Sequence, residues 1–124
     1  MEEMSYILSQ TPCTGGFTHL RLHIPDIAVQ ARPGESIQWG YYRLPIKRAD
    51  PNQGWIELLL NDSIPTTATV TGPIGEALRL DDESRCWLLM GSLSSLAKLI
   101  FCADHLRRQK DRHIVVLLQA DGEL

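Results

Sequence analysis

The sequence predicts a small antiparallel β-barrel, of Greek-key type, followed by a partial α/β unit, and three observations carry that expectation. Before the junction Thr71-Gly72-Pro73-Ile74-Gly75, short apolar and polar alternations are separated by Gly and Pro turns, the pattern of a strand-rich barrel. After it, Cys86-Trp87-Leu88-Leu89-Met90-Gly91 is a short continuous apolar run, suited to a strand covered on both faces. From Ser94 the apolar residues recur at three- and four-residue steps, which is the period of a helix.

Each element follows in order. Ser5-Tyr6-Ile7-Leu8 is an additional strand. In Phe17–Ile24, Leu20, Leu22 and Ile24 share one side and His19, Arg21 and His23 the other, until Pro25-Asp26 breaks the run. Arg32-Pro33-Gly34-Glu35 is a turn, with Pro suited to its second position and Gly to a positive-φ place. It leads into a strand over Ser36–Tyr42, in which Trp39 and Tyr41 share a face with Ile37 and Tyr42 lies on the other. Asp50-Pro51-Asn52-Gln53-Gly54 turns the chain into Trp55–Leu60, and Thr66–Thr71 follows Ile64-Pro65. Trp39, Tyr41, Tyr42 and Trp55 are expected in core and cross-strand packing. In the second half, Leu96, Leu99, Ile100, Ala103 and Leu106 form a helical stripe, with Ser92 or Ser94 as its cap. Ile114-Val115-Val116-Leu117-Leu118 is a second buried strand, making a β-α-β unit. The expected domains are thus a barrel over 1–80 and the α/β segment over 81–124.

Composition excludes several classes. With 124 residues the chain holds one core, burying about 65% of its unfolded surface. Hydrophobic residues at 44% and charged residues at 22% are ordinary globular values, so disorder is not expected. Net charge is −3 and the 12 basic residues are dispersed, which argues against nucleic acid as a partner. The exception, Arg107-Arg108-Gln109-Lys110-Asp111-Arg112, complements the negative end of a helix. Three cysteines without a close pair suggest neither a disulfide framework nor a metal motif, and they fit a reducing compartment. The N-terminus lacks signal-peptide character and no apolar run reaches membrane-spanning length, so a cytoplasmic protein without a membrane partner is expected.

Three stretches together resemble the ferredoxin-reductase-like flavoprotein superfamily, as a shortened member closest in flavour to the electron-transfer subunit of dihydroorotate dehydrogenase. Arg32-Pro33-Gly34-Glu35-Ser36-Ile37 is similar to the family's Pro-Gly-Gln before a barrel strand. Gly72-Pro73-Ile74-Gly75 is similar to its Gly-Pro-Leu-Gly, and Trp87–Gly91 to the strand entering its glycine-rich nucleotide turn. The resemblance implies a flavin on the barrel, FAD or FMN, bound through an Arg-Pro-Ile-Ser or Arg-x-Tyr-Ser stretch. Its counterpart here is Leu44-Pro45-Ile46-Lys47, with Arg43 one position early. Leucine cannot pair bidentately with a phosphate, and lysine replaces a short hydroxyl. The nucleotide turn, Gly91-Ser92-Leu93-Ser94-Ser95, carries one glycine where the family carries several, which disfavours close approach of a pyrophosphate.

Catalytic constellations are otherwise thin. His19 and His23 share a strand face but lack a third metal ligand beyond Asp26. Cys86 and Cys102 read as buried strand and helix residues. The expectation is a degenerate module without nucleotide or metal, acting as a binding or assembly protein. It is expected to form a homo-oligomer through the second-half strands and helix, because an open parallel edge and an uncovered apolar face need protection. The alternative is a flavin-dependent electron-transfer subunit working with a separate protein redox partner. Its cofactor contacts would be Tyr42, Arg43, Pro45, Ile46 and Lys47, with Gly72, Pro73 and Gly75 at the junction and Gly91 and Ser92 at the turn.

Overall fold

The computed structural model describes residues 2–13, 16–61, 64–65, 69–80, 84–92, 95–108 and 112–119. In chain order the strands are β1 (Glu2–Met4), β2 (Tyr6–Pro12) and β3 (Thr18–His23), then helix α1 (Pro25–Gln30). β4 (Ser36–Trp39), β5 (Tyr42–Pro45), β6 (Arg48–Asp50), β7 (Trp55–Leu60) and β8 (Thr69–Ile74) complete the first part. The second part is β9 (Cys86–Ser92), α2 (Leu96–Arg107) and β10 (His113–Gln119).

Two four-stranded antiparallel sheets, ordered β1-β8-β4-β5 and β2-β3-β7-β6, share one core. Leu20, Leu22, Ile56 and Leu58 come from one sheet, Ile37, Trp39 and Val70 from the other, and Ile27 and Ala28 from α1. The expected order of barrel and partial α/β unit is present, but the barrel is not closed: among the described residues no ladder joins the edges of one sheet to the other. Gly72 and Pro73, joined by a cis peptide bond, lie where β8 shifts register against β4 between Ser36 and Gln38.

The predicted strand over Ser36–Tyr42 is two strands. Gly40, at φ +63, and Tyr41 form the tip of a hairpin in which Trp39 faces Tyr42. Tyr41 is therefore fully exposed, while Trp39 is buried. Glycine's tolerance of positive φ is what permits so tight a reversal. α1 was not expected, because Pro25 reads as a strand breaker. Proline at the first helical position costs no intrahelical bond, so Pro25 starts the helix that buries Ile27 and Ala28.

The turn at Gly34 is as expected, with φ +98, and its tightness has a tertiary use. Pro33 accepts a hydrogen bond from the Leu78 amide at 2.8 Å, and a Cβ on Gly34 would lie 2.8 Å from Leu78 Cγ. In the second part β9 and β10 pair in parallel and in register, from Cys86 opposite His113 to Ser92 opposite Gln119. α2 packs on this two-stranded sheet and on β6, and Phe101 enters the core shared by the two sheets. The helix begins at Leu96 with Ser95 at the cap position, where no side-chain cap bond forms. Ser94 lies outside the described residues.

Candidate functional site

The hairpin decides which side of the sheet Arg43 occupies. In an antiparallel ladder directly paired residues project to the same face. Arg43 pairs with Gln38, which pairs with Thr71, and Pro45 pairs with Ser36, which pairs with Ile74. This row lies on the side opposite Ile37 and Trp39, away from the core. The Arg43 guanidinium packs over Gly75, since a Cβ built there would be 2.8 Å from Nη2. Gly75 has φ +89, so both its conformation and its empty side-chain position favour glycine. Arg43 is exposed and forms no ion pair among the described residues. The structure thus brings Arg43, Pro45, Gly72, Pro73 and Gly75 together around one outward-facing cation. On the α1 side of this junction, Gln30, Arg32, Glu35, Gly72, Pro73 and Ala77 line a groove of about 680 Å³.

The rest of the expected contact stretch is dispersed. Ile46 is fully buried in the core, and Tyr42 is exposed, paired with Trp39 across the hairpin and so on the face opposite Arg43. Lys47 precedes β6, at the edge of the other sheet: its amide donates to the Glu57 carbonyl at 2.8 Å, and its charge reaches His19. At the nucleotide-like turn, a Cβ on Gly91 would meet Leu99 Cδ1 at 2.9 Å and Ser95 Cβ at 3.2 Å. Gly91 therefore admits the helix to the strand. Ser92 ends β9 opposite Gln119, and Leu93 lies outside the described residues.

A charged cluster on the outer side of the β3, β7 and β6 ladder was not anticipated. Glu57, with only 3% of its side chain exposed, is directly paired with Arg21 on one side and Arg48 on the other. Arg21 donates to Oε2 at 2.9 Å from Nη2 and 3.3 Å from Nε, and its guanidinium lies 4.0 Å from the Trp55 ring centroid. His19 Nε2 is 3.0 Å from Oε2 and Arg48 Nε is 3.2 Å from Oε1, but neither is aligned as a hydrogen bond. Burial, reinforced by Lys47, holds the His19 pKa below the usual 6.5 against the pull of Glu57. The sequence signal was a single carboxylate inside the apolar run Trp55–Leu60. His19 is committed to this cluster, and no group of three metal-ligating residues forms among the described residues.

The second half presents a different surface. Leu88 and Met90 on β9, and Val115 and Leu117 on β10, are in register on one face and 49–68% exposed. The expected burial of these strands is corrected for the chain by itself: α2 covers one face of a two-stranded sheet and leaves the other open. Cys86 is likewise exposed, whereas Cys102 is buried as expected, which pushes its thiol pKa up.

No family model matches the chain, and no curated protein matches it. Solved structures do. An NADH-dependent reduced ferredoxin-NADP oxidoreductase is similar over 99% of this chain, with TM-score 0.70 and 17% identity. The ferredoxin reductase of carbazole 1,9a-dioxygenase has TM-score 0.75 and 15% identity over 97% of the chain, and an Amycolatopsis cytochrome P450 reductase 0.73 and 14% over 98%. The chain spans 49%, 43% and 44% of these proteins, less than half of each. No helix among the described residues is long and apolar enough to cross a membrane. With two sheets on one core followed by the β9-α2-β10 unit, this chain has the ferredoxin-reductase-like fold of these structures.

Proposed function

We propose that this chain is a ferredoxin-reductase-like binding module that works in an assembly, a homo-oligomer built through β9, β10 and α2, with no nucleotide-dependent catalysis of its own. The observation that carries this reading is the open face of Leu88, Met90, Val115 and Leu117. Contiguous exposed apolar side chains on a two-stranded sheet favour burial against a partner. The packing of α2 against Gly91, the burial of Ile46 and the position of Lys47 beside Glu57 and His19 support it, because each takes away a contact that a nucleotide would use. The test is mass by light scattering at micromolar concentration. A dimer or larger species that Met90→Asp with Val115→Lys converts to a folded monomer is expected, and a monomeric unsubstituted chain overturns the assembly.

One observation favours a second reading, a flavin-holding electron-transfer component with a protein redox partner. Arg43 over Gly75 is an exposed guanidinium beside the junction, suited to a flavin phosphate, FAD or FMN. Bound flavin supplies the redox chemistry, and the chain supplies the anchoring charge and the Pro45 and Pro73 surfaces. Visible absorbance of the purified protein, flavin released on denaturation, and loss of added FAD or FMN binding in Arg43→Ala are its expected signs. A colourless protein that binds neither flavin removes it.

A further inference from the structure

The basic end of α2 does more than complement the helix dipole. A cleft of about 290 Å³ lies between α2, β10 and the edge strand β6, lined by Arg48, Ile100, Ala103, Asp104, Arg107 and Val116. Its volume equals roughly ten water molecules at liquid density, enough for a compact organic molecule. The walls divide by chemistry. Ile100, Ala103 and Val116 are apolar, while Arg48 and Arg107 bring two cations from separate parts of the fold.

The single acid of the lining is already neutralised, because Asp104 pairs with Arg108 at 3.1 Å. Arg107 forms no ion pair among the described residues. Arg48 approaches Glu57 by its Nε, off hydrogen-bond alignment, and Glu57 is shared with Arg21. Neither guanidinium of the cleft is therefore saturated, and both stand beside an apolar wall that lowers the local dielectric. An arginine fork recognises carboxylate and phosphate oxygens alike.

We propose that the α2–β6 cleft binds a small organic anion, a carboxylate or phosphate ester carried on a compact apolar body, with the charge between Arg48 and Arg107 and the body against Ile100, Ala103 and Val116. The site is distinct from the Arg43 junction. It also lies on the α2 side of β10, opposite the face of Val115 and Leu117. A ligand there touches both parts of the molecule at once and ties α2 to the edge of the sheet.

Amide chemical-shift titration of the full chain tests this, with phenyl phosphate and benzoate as probes and inorganic phosphate and benzyl alcohol as controls. Expected are saturable shifts at Ile100–Arg107 and Val116 with either aromatic anion, tighter than about 10 mM, and none with either control. Arg107→Gln, at an exposed position, should weaken the probes about tenfold without changing the fold. Ala103→Leu, which fills the cleft at constant charge, should do the same. Absent saturation overturns the site, as do equal shifts with inorganic phosphate. Weakening by Ala103→Leu but not by Arg107→Gln overturns the recognition of charge.

Discussion

Glu57 shows how one side chain organises a surface. It sits in a strand whose neighbours are apolar, yet it is paired across both adjacent strands with arginine, so its burial is compensated from two sides. Removing one partner of such a cluster leaves the others uncompensated. Glu57→Ala should cost about 3 kcal/mol in urea unfolding, at the low end for a buried pair because Arg21 and Arg48 are 37% and 40% exposed. A loss indistinguishable from that of an exposed substitution would mean that the arginines are solvated independently of it. His19 adds a pH dependence. Its folded pKa is lowered, so the unfolded chain binds the proton first as pH falls. The stability contribution is whole above the unfolded value of about 6.5 and declines below it, until pH reaches the folded pKa. The urea midpoint should therefore fall from pH 7 toward 5.5, and His19→Gln should flatten that slope.

Element packing gives Gly91 a meaning different from the one its motif suggests. The strand β9 and helix α2 approach so closely that a methyl group at Gly91 would press on Leu99 and Ser95. Gly91→Ala should destabilise the protein by about 1–3 kcal/mol, the usual cost of overpacking. The increment should shrink in a Leu99→Ala background, since the two sites share one contact; strict additivity in thermal unfolding would show that the glycine acts elsewhere. Phe101 carries the same helix into the common core, where it is 6% exposed. The β-α-β unit is thereby packed onto the first part rather than tethered to it.

For the molecule as a whole, the two sheets close their core with α1 and Phe101, while β9 and β10 leave an apolar face open. An assembly through that face stabilises the folded chain by mass action, so its Tm should rise with protein concentration. A Tm that is constant across a hundredfold dilution series would contradict an oligomer in that range. Less than half the length of the similar reductases is spanned, and the fold is shared at 14–17% identity, so the likeness is one of architecture.

Much of that architecture was legible. The alternation in Phe17–Ile24 located β3 and its buried Leu20 and Leu22, the apolar run Trp55–Leu60 located β7, and the change of period after the junction located β9, α2 and β10. These are local patterns set by side-chain period, which one strand or helix expresses by itself. The Ser36–Pro45 region was misread because a hairpin tip of two residues leaves almost no trace in alternation, and α1 because proline marks helix starts and strand ends alike. The candidate site divides in the same way. The family resemblance pointed to Arg43 and Gly75 separately, but only the β5-β4-β8 register placed the guanidinium over the glycine. The sequence by itself determined the longer elements β3, β7, β9, α2 and β10 and the order of barrel-like and α/β parts, because period and turn chemistry act over a few residues. Tertiary structure decided that, among the described residues, the sheets stay open at their edges, that Lys47 meets Glu57, and that Gly91 serves packing, because those outcomes depend on contacts between different elements of the fold.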